Sequence, residues 1–288
     1  MKILVLGGTR FFGKRLVENL INHGDQVTIG TRGQTKDPFG NKVNRVQLDR
    51  FDQDSLKAAV GSESWDVVYD QICYSPNDAL NACEVFGGKV DRYIFTSSMS
   101  VYDLSEVPIK EEAYDPYTYP VEKGDRDQFS YSEGKRLAEA VFFQHADFPV
   151  TAVRIPIVMG TDDYTERLLF HIERVKDGRS LGMPNKEAKL SFISSEEAAD
   201  FLEWAGKSEL NRPVNACADG DISLDELLGL IEEAVGRKAI VKEEAVEEDR
   251  SPYGIPSSWI MNNTKAKEAG YVFTSLRDWL PGLIRELA

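Results

Sequence analysis

The chain has 288 residues, of which 42% are hydrophobic and 28% are charged, and this composition excludes disordered and fibrous proteins. Its length allows one large domain or two modest ones. The sum of 34 Lys and Arg against 48 Asp and Glu gives a net charge of −14. That charge disfavours nucleic acid as a partner, because such binding needs a positively charged surface.

Cysteine usage and hydropathy indicate a reducing, aqueous compartment. Cys73, Cys83 and Cys217 are scattered and form no C-x-x-C pair, so we expect neither a disulfide framework nor a metal site. The apolar start MKILVLGG is too short for a signal peptide. No stretch reaches the roughly 18 consecutive apolar residues of a membrane span. We therefore expect a cytoplasmic protein.

The first half of the chain alternates short apolar runs with segments whose apolar residues recur at helical spacing. The predicted strands are 2–6, 26–29, 44–48, 66–69, 92–96 and 150–154. The predicted helices are 11–23, 55–60, 77–86 and 131–143, and residues 104–127 are predicted to form a polar loop. Because this alternation builds right-handed β-α-β units, we predict the α/β class with a doubly wound parallel sheet of the Rossmann type.

The second half loses this rhythm at several Pro and Gly residues. Helices are predicted over 165–175 and 223–235, and the acidic segment 243–249 reads as a solvated face. A further helix over 196–206 is expected to return to the first domain. We predict a nucleotide-binding domain over 1–155 with a return segment at about 190–206, and a smaller interleaved C-terminal α/β substrate domain over 156–288.

A glycine-rich turn lies between the first predicted strand and the first predicted helix. Its sequence is Gly7-Gly8-Thr9-Arg10-Phe11-Phe12-Gly13. Glycine supplies unusual backbone angles there, and a helix N-terminus offers free N–H groups to a pyrophosphate. In this context the turn predicts dinucleotide binding, the alternative being a tight turn without a ligand.

The charges around this turn favour NADP as the cofactor, with NAD left open. The second strand of such a domain usually ends in an acid that binds the ribose 2′-hydroxyl, but residues 27–36 contain none. Arg10 occupies the position of the middle glycine, and Arg32 stands where the acid is expected. Together they can hold a 2′-phosphate. The alternative is that both are solvated surface charges.

The spacing Tyr-x-x-x-Lys occurs twice, and only the second pair is predicted to lie on a helix. Tyr119 and Lys123 enclose Pro120 and precede Gly124, which indicates a loop. The second pair begins a helix at Ser130, whose spacing to Glu133 predicts a capping box. Tyr131 and Lys135 therefore share one helical face. A lysine one turn away can favour the phenolate, which makes a tyrosine useful for acid–base chemistry near neutral pH.

A hydroxyl donor for a substrate oxygen is also available after the strand at 92–96. Ser97, Ser98 and Ser100 follow that strand, at the edge where ligands of open parallel sheets bind. Each serine taken alone can equally well cap the strand end. Together with Tyr131 and Lys135, the three predict a catalytic site.

These motifs resemble an extended or atypical short-chain dehydrogenase/reductase, the NAD(P)-dependent epimerase/dehydratase family. The matching segments are GGTRFFG at 7–13, VQLDR at 46–50, FTSSMSVY at 95–102, YSEGK at 131–135 and VRIPIVMG at 153–160. Arg10 makes the turn more similar to the atypical branch that contains chloroplast stem-loop RNA-binding proteins. Some members of that branch act on RNA.

The resemblance implies a set of site residues. Catalysis would fall to Ser98, Tyr131 and Lys135. The cofactor-binding set would comprise Gly7, Thr9, Arg10, Phe11, Phe12 and Gly13 at the pyrophosphate, Asp49 and Arg50 at the adenine, Ile72 and Cys73 along the cofactor, Lys135 at the ribose, and Pro156 and Ile157 at the nicotinamide.

The first hypothesis is an NAD(P)-dependent oxidoreductase, epimerase or dehydratase that acts on a sugar nucleotide or a related hydroxyl or carbonyl compound. Tyr164, Arg167 and Arg174 could then face a substrate phosphate or carboxylate, or could belong to an amphipathic surface helix. The second hypothesis is an RNA-associated or cofactor-sensing member of the atypical branch. A homodimer would be ordinary for the family.

Overall fold

A computed structural model describes residues 1–288 and contains fifteen strands and nine α-helices. The strands are β1 (Lys2–Leu6), β2 (Gln26–Thr31), β3 (Asn44–Gln47), β4 (Trp65–Asp70), β5 (Val90–Ser98), β6 (Ser105–Ile109), β7 (Val150–Ile155), β8 (Ile157–Met159), β9 (Ser180–Gly182), β10 (Lys189–Leu190), β11 (Phe192–Ser194), β12 (Val214–Asn215), β13 (Ile222–Ser223), β14 (Ile240–Lys242) and β15 (Trp259–Met261). The helices are α1 (Phe11–Asn22), α2 (Gln53–Val60), α3 (Pro76–Phe86), α4 (Tyr131–His145), α5 (Arg167–Asp177), α6 (Ser195–Lys207), α7 (Leu224–Val235), α8 (Thr264–Glu268) and α9 (Leu276–Leu287).

Seven parallel strands form the main sheet, in the order β12-β7-β5-β4-β1-β2-β3. The order reverses between β1 and β4, and at such a point the loops at the carboxyl ends of the strands part to leave a crevice. The predicted α/β class and doubly wound sheet are confirmed. The edge strand β12 was not predicted, because two residues carry no periodic pattern.

Helices cover both faces of this sheet, and each face has its own apolar core. On one face α1 and α6 pack together, with Leu16 and Phe201 in the same buried cluster. On the other face α2, α3 and α4 meet, and Leu56, Ala82 and Phe142 share a second cluster. The central strands are buried on both sides, which accounts for their continuous apolar runs.

A second group of elements surrounds a third apolar cluster, which joins α5, α7 and α9. Its four-stranded sheet has the order β13-β10-β15-β6. The prediction that 104–127 is a loop is wrong at β6, which pairs in parallel with β15. Its partner lies about 150 residues further along the chain, and this tertiary pairing leaves no local signal. The predicted division into domains at residue 155 stays a prediction.

The acidic segment 243–249 is mostly exposed, as predicted, with one exception. Asp249 is buried and accepts hydrogen bonds from Ser180 Oγ at 3.0 Å and from the Val246 N–H at 2.9 Å. No helix of the chain is both long and apolar enough to cross a membrane.

His171 is a fully buried side chain in this second group of elements. Its Nδ1 lies 2.7 Å from the Arg167 carbonyl oxygen, and its Nε2 lies 2.7 Å from Ser251 Oγ. The ring stacks on Tyr253 with centroids 4.5 Å apart. Burial lowers the pKa of His171 from 6.5 to about 4, because the charged imidazolium would lose its hydration.

Acidification is therefore expected to destabilise the protein through His171. Between pH 6.5 and 4 the unfolded state binds the proton and the folded state does not. The free energy of unfolding therefore decreases as the pH is lowered through this range, by about 3 kcal/mol in total. Urea unfolding across this range, compared with His171→Gln, measures the effect. The exposed His145→Gln is the control and should keep the wild-type slope. An unchanged slope in His171→Gln would contradict the assignment.

Candidate functional site

A cleft of about 630 Å³ opens at the carboxyl ends of β1, β4, β5 and β7. The glycine-rich turn, the Ser98 segment and the start of α4 all line it. Its far end is formed by the segment after β8 and by the second sheet. The residues that line the cleft include Thr9, Arg10, Phe11, Phe12, Gln71, Ile72, Tyr74, Ser98, Ser100, Tyr131, Lys135, Pro156, Ile157, Tyr164, Arg167, Pro252 and Trp259.

The glycine-rich turn has the backbone geometry of an anion cradle. Gly7 and Gly8 have φ angles of 97° and 82°, a region that favours glycine. Arg10 precedes α1 and its side chain does not cap that helix, so the first N–H groups remain available to a ligand. Phe11 also has a positive φ, of 48°. Strain of this kind occurs where a ligand site over-determines the backbone.

Gln71, at the end of β4, is a lining residue that the sequence analysis did not identify. A Cβ atom on Gly13 would overlap the Gln71 side chain, so Gly13 allows Gln71 to lie over the turn. The Nε2 group of Gln71 is buried and has no hydrogen-bond partner. A buried donor without an acceptor costs about 1–3 kcal/mol, and a phosphate oxygen would remove that cost. No sequence signal marks this amide.

Lys135 is 2% exposed, and two backbone carbonyls hold its ammonium group. Its Nζ donates to Cys73 O at 2.7 Å and to Thr96 O at 2.8 Å. This joins α4 to the ends of β4 and β5. The ammonium also lies 4.7 Å from the ring centroid of Tyr74. One of its three donors remains for a ligand.

The start of α4 differs in one detail from its prediction. Ser130 Oγ caps the helix by accepting from the Glu133 N–H at 3.2 Å. The reciprocal half of the predicted capping box is absent, because the Glu133 carboxylate instead accepts from the Tyr119 hydroxyl at 2.8 Å. Tyr119, from the rejected Tyr-x-x-x-Lys pair, thus supports the helix that carries Tyr131 and Lys135.

Tyr131 is 53% exposed at the first position of α4. Its ring centroid lies 6.0 Å from Lys135 Nζ and 6.3 Å from the ring of Tyr74. The guanidinium carbon of Arg126 lies 4.5 Å from the ring centroid of Tyr74. Burial raises the pKa of Tyr74, which keeps it neutral. Of these two hydroxyls, that of Tyr131 is therefore the better placed to exchange protons.

The three serines after β5 have different environments. Ser98 Oγ accepts from the Ser100 N–H at 3.1 Å and so caps a short 3-10 turn, and its own proton remains available. Ser97 donates to the buried carboxylate of Glu139, which pairs with Arg154. Ser100 Oγ is buried and has no partner. Ser98 and Ser100 therefore both offer hydroxyl groups to the cleft.

Arg10 and Arg32 differ in their position relative to the cleft. Arg10 lines it, with its guanidinium 5.7 Å from the ring of Tyr164 and 3.4 Å from Thr35 Oγ1. Arg32 is exposed on the loop after β2 and does not line it. Asp49, half-buried, also lies outside the lining and accepts from the Phe51 N–H.

Three expected side chains are unavailable to a ligand in the cleft. The Arg50 side chain is fully buried and forms an ion pair with Asp70 at 2.6 Å, so its guanidinium stabilises the fold and does not face the cleft. Cys73 is buried, and its backbone carbonyl rather than its thiol contacts Lys135. Arg174 is buried and donates to Ser180 O at 2.6 Å. Sequence position alone does not reveal these partners.

No Asp or Glu lines this cleft, although the chain has a net charge of −14. Its charged lining residues are three cations, Arg10, Lys135 and Arg167. A recess with only positive charge and low-dielectric walls concentrates anions. The geometry therefore suits a ligand with phosphate or carboxylate groups.

Gly134→Ala is expected to damage the site through the backbone. A Cβ there would overlap the Tyr74 carbonyl oxygen, and overpacking of this kind costs about 1–3 kcal/mol. Gly229→Ala is the matched control, because nothing lies within 4 Å of its Cβ position in α7. It should instead stabilise the helix by up to about 1 kcal/mol. Thermal unfolding of both variants tests this, and equal effects would refute it.

Comparison with known proteins agrees with this geometry. Residues 3–81 match the model of the NAD dependent epimerase/dehydratase family. The chain is 29% identical to the chloroplast stem-loop binding protein of 41 kDa b of Arabidopsis thaliana, with 78% of this chain and 61% of that protein covered. It is 26% identical to the 2-alkyl-3-oxoalkanoate reductase of Stenotrophomonas maltophilia, with 76% of this chain and 68% of that protein covered. The chain thus spans about three fifths of the first relative's length.

Solved structures match over the whole chain. The UDP-glucose 4-epimerase of Thermotoga maritima with UDP-glucose has a TM-score of 0.76 at 18% identity, covering 99% of this chain and 97% of that one. The UDP-glucose 4-epimerase of Thermus thermophilus in complex with NAD has a TM-score of 0.73 at 18% identity, covering 100% and 99%. The resemblance inferred from the motifs is confirmed: the chain is similar to the NAD-dependent epimerase/dehydratase family in its N-terminal sequence and to short-chain dehydrogenase/reductase epimerases in its fold.

Proposed function

We propose that the protein is an NADP-dependent reductase or epimerase that acts on an anionic hydroxyl or carbonyl compound. The observation that carries this proposal is the composition of the cleft. A glycine-rich turn, a tyrosine beside a buried lysine, and two arginines share one recess that contains no acid. That set provides for an anionic cofactor, an anionic substrate and a proton at a single centre.

The residues of the cleft fit a nicotinamide dinucleotide. Gly7, Thr9 and the free N–H groups at the start of α1 would hold the pyrophosphate, and the orphaned Nε2 of Gln71 would donate to it. Arg10, with Arg32 beyond the lining, would hold a 2′-phosphate. Ile72, Pro156 and Ile157 would pack against the rest of the cofactor. When bound, the cofactor supplies or accepts a hydride.

Proton transfer to or from the substrate would be carried out by residues of the chain itself. In this proposal Tyr131 passes a proton to or from the substrate oxygen, and Ser98 donates a hydrogen bond that holds that oxygen. The remaining Nζ donor of Lys135 binds the cofactor ribose. Ser100, whose buried hydroxyl has no partner, provides a second donor at the same oxygen.

The absence of acids favours a reductase or epimerase over a dehydratase. Eliminating water requires a group that protonates the leaving hydroxyl and a base that removes a proton from carbon. Besides Lys135 and the permanently charged Arg10 and Arg167, the only titratable groups of the lining are the hydroxyls of Tyr74, Tyr131 and Tyr164. With Tyr74 kept neutral by burial, the cleft retains two tyrosine hydroxyls and no carboxylate, a set that suits hydride transfer better than elimination.

The substrate would lie toward Arg167, Tyr164 and Trp259 at the far end of the cleft. Arg167 is the cation there, so a phosphate or carboxylate of the substrate would bind to it. Sugar nucleotides carry such groups, and the two epimerases above were solved with UDP-glucose or NAD. We accordingly propose residues 156–288 as the substrate domain, apart from the segment that returns to the main sheet. We also propose a homodimer.

The second hypothesis, an RNA-associated or cofactor-sensing protein, receives less support. Its favourable observation is a relative described as a stem-loop binding protein. The three cations of the cleft line one recess instead of an extended surface, and the chain has a net charge of −14. RNA binding of this kind would weaken steeply with added salt.

Replacing Tyr131 with Phe is expected to lower turnover at least about 100-fold while cofactor affinity is kept, because only the acid–base hydroxyl is lost. The readout is NADPH oxidation with a panel of ketones and keto-sugar nucleotides, together with cofactor titration. Tyr119→Phe, from the other Tyr-x-x-x-Lys pair, is the control and should lose far less. Equal turnover in Tyr131→Phe and wild type would refute the role of this tyrosine.

Calorimetric titration should show tighter binding of NADP than of NAD. Arg32→Gln is expected to weaken NADP about 10-fold and to leave NAD unchanged, because it removes one contact to the 2′-phosphate. The exposed Lys36→Gln, in the same loop, is the charge-matched control. Tighter NAD binding would overturn the choice of cofactor but not of reaction. If neither nucleotide binds, the second hypothesis takes its place.

A further inference from the structure

A second cleft, of about 640 Å³, shares no lining residue with the first. It lies between the start of α6, the end of β8 and the C-terminal helix α9, and Arg15 of α1 closes one side. Four acidic residues line it: Glu196, Glu197, Asp200 and Glu286. Its character is therefore opposite to that of the proposed active site.

Most of this negative charge has no basic partner. Arg15 is the one cation of the lining, and it already pairs with Glu196 and with Asp162, each at 3.0 Å. No Lys, Arg or His nitrogen lies within 4.0 Å of the carboxylates of Glu197, Asp200 or Glu286. Three carboxylates of the lining thus have no basic partner.

Glu197 provides a second, independent observation that points to a cationic ligand in this cleft. It is only 5% exposed, and its Oε1 accepts from the Thr274 N–H at 2.6 Å. Its Oε2 is buried and has no hydrogen-bond partner. A half-satisfied buried carboxylate is costly. Burial raises the pKa of Glu197 and of Asp200, because the charged carboxylates lose part of their hydration.

The remaining walls of this cleft are aromatic and apolar. Tyr271 and Trp279 line it beside Met159 and Leu283, and Val272 at its edge is 86% exposed. Aromatic faces attract cations, and alkyl chains pack on such surfaces. The carboxylates do not assemble into a group that could hold a metal ion. Their combination with aromatic rings suits an organic cation.

We propose that this second cleft binds an alkyl-ammonium ligand of the polyamine type. Ammonium groups would pair with Glu197, Asp200 and Glu286, and the carbon chain between them would lie on Tyr271 and Trp279. The site is separate from the proposed active site, so this proposal stands or falls independently of the hydride-transfer chemistry.

The test is calorimetric titration of the full chain with spermidine at about 0.1 M salt, where diffuse charge effects are screened. Wild type should bind at one saturable site. Asp200→Asn combined with Glu286→Gln should weaken binding at least about 10-fold, since two exposed carboxylates are neutralised without disturbing the core. Glu197→Gln, which preserves the shape of the side chain, should weaken it as well.

The control variant combines Glu243→Gln with Glu244→Gln in the exposed acidic segment. It changes the net charge by the same amount at another place and should bind spermidine like wild type. Equal weakening in both double variants, binding that never saturates, or full displacement by equimolar Mg²⁺ would show a diffuse counterion effect and overturn the proposal. Unchanged affinity in Glu197→Gln would overturn it as well, because the unpartnered carboxylate oxygen of Glu197 is the observation that points to a bound cation.

Discussion

The rest of the site depends on the bond between a buried ammonium group and two backbone carbonyls. Lys135 can reach Cys73 O and Thr96 O only because Gly134 lets α4 approach the chain after β4. Once this junction forms, the start of α4 and the ends of β4 and β5 are held together. Tyr131 is then placed at the mouth of the cleft, and the ring of Tyr74 lies close to the cationic groups of both Lys135 and Arg126.

Two buried ion pairs extend this junction into the sheet. Arg50 and Asp70 pair beneath the loop after β4, and the Tyr93 hydroxyl donates to the same carboxylate at 2.6 Å. Arg154 and Glu139 pair behind the serine segment. At both places, burying two apolar side chains would cost less desolvation free energy than burying an ion pair. Their directed hydrogen bonds, such as those from Arg50 to Asp78 O and from Arg154 to Glu111 O, fix where the loops around the cleft lie.

The main sheet and its helices could be predicted from the sequence, because their signals are local. Apolar runs such as 2–6 and periodic helices such as 131–143 need no knowledge of distant residues. The strand β6 and the edge strand β12 could not, since each is defined by a distant partner. The glycine turn, Ser98, Tyr131 and Lys135 were found by their motifs. Gln71 was missed, and the burial of the Arg50 side chain against Asp70 was not foreseen, because side-chain direction and burial are properties of the packed fold.

The path of β6 connects Ser98 to the far end of the cleft. The chain leaves Ser98, makes one short turn and then joins the second sheet beside β15, whose Trp259 lines the cleft. Under the proposed function, a substrate group that displaces Trp259 would therefore also move the segment that positions Ser98. Binding energy from a part of the substrate remote from the reacting oxygen could then be used to align it. A truncated substrate would lose reaction rate more than affinity.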